Sequence, residues 1–206
     1  MQQLHPTSAA YNLLGALRLR GTLHIGDLRS AISDLVMRHE ILRTTFDSVN
    51  GEAVQIIAET MQIDLHVVDV ETYQPNGNQP IDVEKWAKSE SLKPFDLARG
   101  PLLRLHLLKI DQNVYILLLV IHHIIADGWS VGVFLQELTA LYYANISNEE
   151  ASLPALSIQY ADYAIWQREW LSGERLEQQL SYWKTQLSGC TTELNLFTDR
   201  PRQPVQ

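Results

Sequence analysis

Residues 114–130 read VYILLLVIHHIIADGWS and carry the strongest structural signal in the chain. The uninterrupted apolar run that ends at Ile121 predicts a strand that is buried on both faces. The two histidines after it predict the end of that strand, and the Asp-Gly pair predicts a turn before the next helix. We therefore centre the candidate site on residues 122–128.

The segments around this stretch alternate between strand and helix patterns. Asn50-Gly51 between two apolar segments predicts a β-hairpin. Two stretches rich in turn residues, 73–79 and 198–206, predict a loop and a tail. The pattern indicates an α/β protein, specifically an α+β sandwich in which helices flank a mixed sheet. Strands are predicted over 11–19, 42–46, 54–57, 64–70, 102–110 and 114–121, and helices over 26–39, 82–92, 129–144, 157–171 and 174–187.

Composition limits the function classes. A chain of 206 residues fits one domain or one lobe of a larger enzyme, and its 46% hydrophobic content is enough for a packed core. The net charge of −8 argues against a nucleic-acid partner, because binding phosphates requires clustered Lys and Arg. There is no run of about 18 apolar residues that would span a bilayer. The single cysteine, Cys190, excludes an internal disulfide and favours the cytoplasm.

Consecutive strand residues point to opposite faces, so only one of His122 and His123 can face a given cavity. An imidazole in a cavity can take a proton from an amine or hydroxyl, or hold that nucleophile by hydrogen bonding. The same alternation weakens the interpretation as a zinc site, and no third ligand completes one. Taken alone, a His-His pair at a strand end favours a structural role over a catalytic one.

The residues after the histidines suggest how the turn is held. Asp127 could orient the imidazole or fix the turn through an arginine, and we favour the second because Arg–carboxylate pairs hold geometry well. The candidate partners are Arg43 and Arg38. Gly128 permits a tight turn or a close backbone approach. Trp129 and Ser130 then open a helix whose free N–H groups favour developing negative charge.

Three motifs together resemble one enzyme family. HHIIADGWS at 122–130 resembles the HHxxxDGWS signature of condensation domains of nonribosomal peptide synthetases. RHEILRTTF at 38–46 is similar to the family's RHExLRTxF motif, and YADYAIW at 160–166 to its YxDYAxW motif. Smaller agreements lie at 94–102 and 198–202. The resemblance runs from about residue 8 to the last residue.

The resemblance implies a chloramphenicol-acetyltransferase-like lobe and peptide-bond formation. Two such lobes form a tunnel that admits two 4′-phosphopantetheine arms, one with a donor acyl or peptidyl thioester and one with an acceptor aminoacyl thioester. The implied partners are the upstream and downstream peptidyl carrier proteins, the second lobe and the adenylation domain of the same synthetase. No cofactor or metal is held by the chain itself, and neither nucleic acid nor membrane is a partner.

The resemblance also implies roles for individual residues. His123 is the base or the residue that positions the amine, and His122 is a packing residue beside it. Asp127 is mainly structural through Arg43, with Arg38 in support. Gly128, whose N–H is placed to help the oxyanion, lines the tunnel with Trp129 and Ser130. The aromatic motif at 160–166 is expected to put Tyr163 and Trp166 on a core-facing stripe of its helix.

The chain departs from the family pattern at both ends. The family's opening helix and its second lobe have no counterpart, so residues 1–206 are expected to be the N-terminal lobe of a condensation domain, inactive alone. The residues around Asp127 favour the type that joins two L-amino acids. Two alternatives stay open: a truncated lobe that binds carrier proteins or other lobes without turnover, and a stand-alone acyltransferase of the same superfamily that completes its site by oligomerising.

Overall fold

The computed structural model describes residues 8–72 and 82–191. The predicted loop at 73–79, the tail at 198–206 and the minor motif at 198–202 lie outside the described residues. The elements in chain order are β1 (Asn12–Arg20), α1 (Ile25–Arg38), a 3₁₀ turn (Glu40–Arg43), β2 (Thr44–Val49), β3 (Glu52–Ile57), β4 (Leu65–Asp69), α2 (Val83–Ser91), β5 (Leu103–Asp111), β6 (Val114–His122), α3 (Gly128–Ser147), α4 (Tyr160–Trp170) and α5 (Gly173–Gln186).

Four strands form a mixed sheet in the order β1-β6-β5-β4. β6 runs antiparallel to both β1 and β5, whereas β4 runs parallel to β5. β2 and β3 form a separate two-stranded sheet. The mixed sheet with flanking helices confirms the predicted fold class, and β6 takes the central, doubly covered position that its apolar run predicts.

Helices cover both faces of the four-stranded sheet. On one face His106 lies opposite Leu118 of β6, and its ring packs against Trp86 of α2. On the other face Leu119 and Ile121 contribute to the core together with residues of α1 and α3, which pack against each other. Each fully buried aliphatic side chain of this kind stabilises the fold by about 1.5–3 kcal/mol. The residues that follow β6 lie beside the start of α3 and the 3₁₀ turn.

The predicted hairpin is confirmed, with one correction at its start. Asn50 and Gly51 both have positive φ, at 53° and 83°, which fits the tight turn that Asn-Gly favours. The first strand, predicted from Leu42, begins instead at Thr44. The four residues before it form the 3₁₀ turn, and the Thr44 hydroxyl closes that turn by donating to the carbonyl of Glu40 at 2.7 Å.

The chain divides into two compact units, residues 1–161 and residues 162–206. The second unit contains most of α4 and all of α5, and no residue of either helix is buried. Tyr163 and Trp166 have their ring centroids 5.7 Å apart but are 39% and 51% exposed. The two rings contact each other on one side of α4, as their spacing predicts, and the helices of this unit alone do not bury them.

Candidate active site

The two histidines lie at the end of strand β6. Their side chains point to opposite faces of the sheet, as strand alternation predicts. The backbone N–H of His122 donates to Leu102 O at 2.9 Å, and that of His123 donates to Tyr11 O at 2.8 Å, so both neighbouring strands hold this end. The side chain of His122 is buried beside the ring of Phe95. The side chain of His123 is exposed and lines a cavity on the opposite face.

His122 forms hydrogen bonds with the turn that follows it. Its Nδ1 accepts the backbone N–H of Ile124 at 3.1 Å, and its carbonyl accepts the N–H of Ile125 at 3.0 Å. Burial lowers the pKa of His122, and the neighbouring imidazole of His123 lowers it further. The ring is therefore neutral at pH 7, with its proton on Nε2 because Nδ1 is an acceptor.

Asp127 caps the helix that opens after the turn. Its Oδ1 accepts the backbone N–H of Ser130 at 2.8 Å and the Ser130 hydroxyl at 2.6 Å. These hydrogen bonds hold the pKa of Asp127 below its usual value. The carboxylate occupies the N-cap position of α3, where an acceptor satisfies N–H groups that have no partner within the helix.

The predicted ion pair between Asp127 and an arginine is wrong. Arg43 donates to Ala58 O and to Glu40 Oε1, the latter at 3.3 Å. Arg38 donates from Nε to Glu137 Oε2 at 2.9 Å. Over the described stretches 8–72 and 82–191, neither arginine pairs with Asp127. The physical reason is local, since Ser130 donates twice to Oδ1 of Asp127 and both arginines bind carbonyl and carboxylate acceptors closer to them.

Gly128, Trp129 and Ser130 form the first turn of α3. Gly128 does not have a positive φ, and a Cβ built on it would meet nothing within 4 Å. The turn therefore does not need glycine for its backbone conformation. Trp129 is 84% exposed, and together with Ser130 it lines the cavity that His123 faces, whereas Gly128 does not line it.

The cavity has a volume of about 290 Å³ and lies within the first unit, between the end of β6, the start of α3 and the 3₁₀ turn. Most of its wall is aliphatic or aromatic. Its polar lining residues include His123, which directly follows β6, and His39, which directly follows α1. The lining residues are His39, Ile41, Leu42, Leu119, Ile121, His123, Ile124, Ile125, Ala126, Asp127, Trp129, Ser130, Val131, Val133, Phe134 and Tyr160.

The comparison with known families decides the ancestry of the chain. The protein-family model for the condensation domain matches residues 1–206 of the sequence. The chain belongs to the condensation domain family. The resemblance carried by the three sequence motifs is thus confirmed.

The relatives of this condensation domain chain are synthases that are far longer than the chain itself. It is 45% identical over 206 residues to one of the linear gramicidin synthase proteins of Brevibacillus parabrevis, covering all of this chain and 4% of that protein. It is 40% identical over 206 residues to surfactin synthase subunit 2 of Bacillus subtilis, covering all of this chain and 5% of that protein. The chain therefore spans a small fraction of the relatives that it matches.

Solved structures support the fold of the condensation domain chain. The X-domain from teicoplanin biosynthesis superimposes with a TM-score of 0.81 at 31% identity, over 97% of this chain and 43% of that one. The starter condensation domain of rhizomide synthetase gives a TM-score of 0.79 at 19% identity, over 93% of this chain and 45% of that one. This chain spans less than half of either structure.

The condensation domain site contains two residues that the sequence analysis did not assign. His39 follows α1 and lines the cavity, and its Nε2 lies 2.6 Å from Oε2 of Glu137 on α3. The sequence signal for Glu137 is its position between Phe134 and Leu138, because a carboxylate on the buried face of a helix needs a partner. His39 belongs to the motif at 38–46, but its neighbours in the sequence give no sign that it faces the same cavity as His123.

Residues 8–72 and 82–191 contain neither a cluster of metal ligands nor a membrane-spanning helix. No group of three or more His, Cys, Asp or Glu side chains there could hold a metal ion. No helix in that part of the chain is both long and apolar enough to cross a membrane.

Proposed function

We propose that this chain contributes the histidine-bearing lobe of a nonribosomal peptide synthetase condensation domain, which joins a donor thioester to an acceptor amine. The observation that carries the proposal is the position of His123. Its imidazole lines a largely apolar cavity at the end of a rigid central strand, and no hydrogen bond within the described residues occupies it. An imidazole presented in this way can bind and deprotonate an attacking amine.

The proposed reaction is an aminolysis of a thioester. The acceptor amine attacks the donor carbonyl carbon, the new C–N bond forms, the C–S bond breaks, and the proton lost by the amine ends on the departing thiolate. His123 holds the amine by a hydrogen bond and takes part in this proton transfer. The backbone N–H of Gly128, at the start of α3, stabilises the negative charge on the carbonyl oxygen.

The substrates are proposed to arrive as thioesters on the 4′-phosphopantetheine arms of two peptidyl carrier proteins. The adenylation domain and the second lobe of the same synthetase complete the set of partners. Both substrates are proposed to be L-configured, on the resemblance of residues 124–132 to condensation domains of that type. The relatives in gramicidin and surfactin synthases support this setting, because they match over the full length of the chain.

The experiment is peptide-bond formation between two loaded carrier proteins, followed by mass spectrometry of the product. It compares this chain, an extended chain that also carries the second lobe, and the extended chain with His123→Ala. His66→Ala in the extended chain is the matched control, because His66 is an exposed histidine on β4 that does not line the cavity. We expect product from the extended wild type and the control, and at least a hundredfold less from His123→Ala. Equal product from all extended variants would contradict the proposal.

A second candidate function is a non-catalytic binding module. The observation that favours it is the similarity to a solved complex of the X-domain and OxyB from teicoplanin biosynthesis, at a TM-score of 0.81 and 32% identity. In that case the lobe binds a partner protein, and His123→Ala changes no turnover. Product formation that depends on His123 would exclude this alternative.

A further inference from the structure

The second imidazole of the cavity belongs to His39, at the junction of α1 and the 3₁₀ turn. Its side chain is 21% exposed, and its Nε2 lies 2.6 Å from Oε2 of Glu137, whose side chain is 11% exposed. Arg38 binds the same carboxylate, from Nε to Oε2 at 2.9 Å and from its terminal nitrogen to Oε1 at 3.5 Å. Both residues of the Arg38-His39 pair therefore converge on one buried carboxylate of α3.

This arrangement fixes which nitrogen of His39 is the donor. Burial acts to raise the pKa of Glu137, but the hydrogen bonds from Arg38 and His39 outweigh it and hold that pKa below its usual value. The carboxylate is therefore ionised at pH 7 and acts only as an acceptor. Nε2 of His39 must carry a proton to bind it, which leaves the lone pair of the neutral ring on Nδ1.

The remaining polar groups of the cavity wall show where a ligand can bind. Ser130 donates twice to Oδ1 of Asp127, and Tyr160 is a further polar residue of the wall. Within the described residues, Nδ1 of His39 and the ring of His123 have no hydrogen bond. Both imidazoles line a cavity whose wall is mostly apolar, so a polar group that enters this cavity gains from meeting them.

We propose that His39 is a second substrate-contacting residue of the site, whose Nδ1 accepts a hydrogen bond from the α-amine of the aminoacyl thioester. Glu137 orients the ring, as a carboxylate behind a histidine does when the other nitrogen must face the substrate. The inference rests on the proposed function, because it assigns the acceptor amine to the cavity that His123 lines. It adds a contact that His123 alone does not supply, since one imidazole accepts only one hydrogen bond.

Two substitutions separate substrate binding from structural support. His39→Gln places an amide N–H2 near the position of Nε2, so it keeps the bond to Glu137 but offers no acceptor near Nδ1. His39→Asn places its carbonyl oxygen near Nδ1 and loses the bond to Glu137. The control is His24→Gln, which removes an exposed histidine at the other end of α1.

The probes are two amide analogues of the pantetheine thioester, alanyl-aminopantetheine and propionyl-aminopantetheine. They differ only in the α-amine, and their Kd values for the chain are measured by NMR titration. We expect the wild type and His24→Gln to prefer the alanyl probe. His39→Gln should weaken alanyl binding about tenfold and leave propionyl binding unchanged. His39→Asn should keep most of the preference for the amine.

Several outcomes would overturn the inference. One is equal alanyl affinity of the wild type and His39→Gln. Another is an equal loss of affinity for both probes in His39→Gln. That result would show that His39 is structural or that it binds the pantetheine amides. Absence of saturable alanyl binding by the wild type would also overturn it. The peptide-forming assay separates this failure from that of the proposed function, because loss of product with His123→Ala would stand whatever His39→Gln does to the affinity.

Discussion

Ser130 donates both its backbone N–H and its hydroxyl to one carboxylate oxygen of Asp127, at 2.8 and 2.6 Å. These two hydrogen bonds join the last residue before α3 to the first turn of that helix. Because His123 lies four residues before this cap, the cap limits how far the loop between β6 and α3 can move. Asp127 thus supports the site through the backbone of its own loop rather than through an arginine of another element.

The first prediction concerns the charge of Asp127. Its folded pKa lies below the unfolded value, so its contribution to stability is present above about pH 4 and is lost as the pH falls through the folded pKa. Asp127→Asn keeps the acceptor oxygen, so it should match the wild type in urea unfolding at pH 7 and lose less stability on acidification. Asp127→Ala should be less stable at pH 7.

The control for Asp127 is Asp34→Ala, at an exposed position on α1. We expect it to unfold like the wild type at pH 7. If Asp127→Ala unfolded at the same urea concentration as Asp34→Ala and the wild type, the capping role of Asp127 would be refuted.

The second prediction compares the effect of alanine substitution on stability at two glycines. Gly128 has open space where a Cβ would lie, so Gly128→Ala should change the free energy of unfolding by no more than about 1 kcal/mol, in favour of alanine. Gly100 has a φ of +62°, and its Cβ would lie 3.0 Å from Thr45 Cγ2, so Gly100→Ala should cost about 1–3 kcal/mol. Urea unfolding of both variants measures the difference.

The rate of peptide formation tests whether glycine at position 128 is needed for activity. We expect Gly128→Ala in the extended chain to lose activity although it folds normally, because the added methyl group crowds the approach of the thioester to the helix start. Full activity with full stability would show that no substrate approaches this backbone closely.

Local sequence rules predicted the elements well, because their signals are local. The apolar run of β6 and the Asn-Gly turn depend on residues next to one another, and both appear as expected. The separation of His122 from His123 follows from strand alternation alone. The start of the first hairpin strand was misplaced because the 3₁₀ turn depends on a side-chain bond between Thr44 and Glu40.

Side-chain partners were predicted less well, because several acceptors compete for each arginine. Arg43 was expected at Asp127, yet its neighbours in the fold are Glu40 and the carbonyl of Ala58. The spacing of Asp127 and Ser130 is itself a helix-capping pattern, so the sequence did contain the correct partner. The meeting of His39 with Glu137 joins residues 98 positions apart, and no local pattern indicates it.

The third prediction concerns Asn12, which links β1 to the last residue of α2 and to the segment that follows that helix. Its Nδ2 donates to Ser91 O and Lys93 O, both at 2.8 Å. Two such bonds contribute about 1 kcal/mol each, so Asn12→Ala should lower the free energy of unfolding by about 2 kcal/mol. The control is Asn113→Ala at the exposed turn between β5 and β6. Equal urea midpoints of the two variants would contradict a structural role for the Asn12 amide.

The last prediction is the pH dependence of stability that His106 introduces. The ring is 7% exposed, stacks on His66 at 5.4 Å and has no hydrogen bond at Nε2, which lies 3.6 Å from Glu90 Oε2. Burial lowers the pKa of His106 to about 4, although the charge of Glu90 opposes the shift.

The sign of the effect follows from proton binding. Between pH 6.5 and about 4 the unfolded chain binds a proton at His106 that the folded chain does not, so stability falls as the pH falls through this window. We expect a loss of about 1–2 kcal/mol, less than for a ring fully shielded from solvent. His106→Gln cannot titrate and should flatten the dependence, as measured by urea unfolding at several pH values. His24→Gln controls for the loss of an exposed histidine, and a slope shared by His106→Gln and the wild type would refute the assignment to His106.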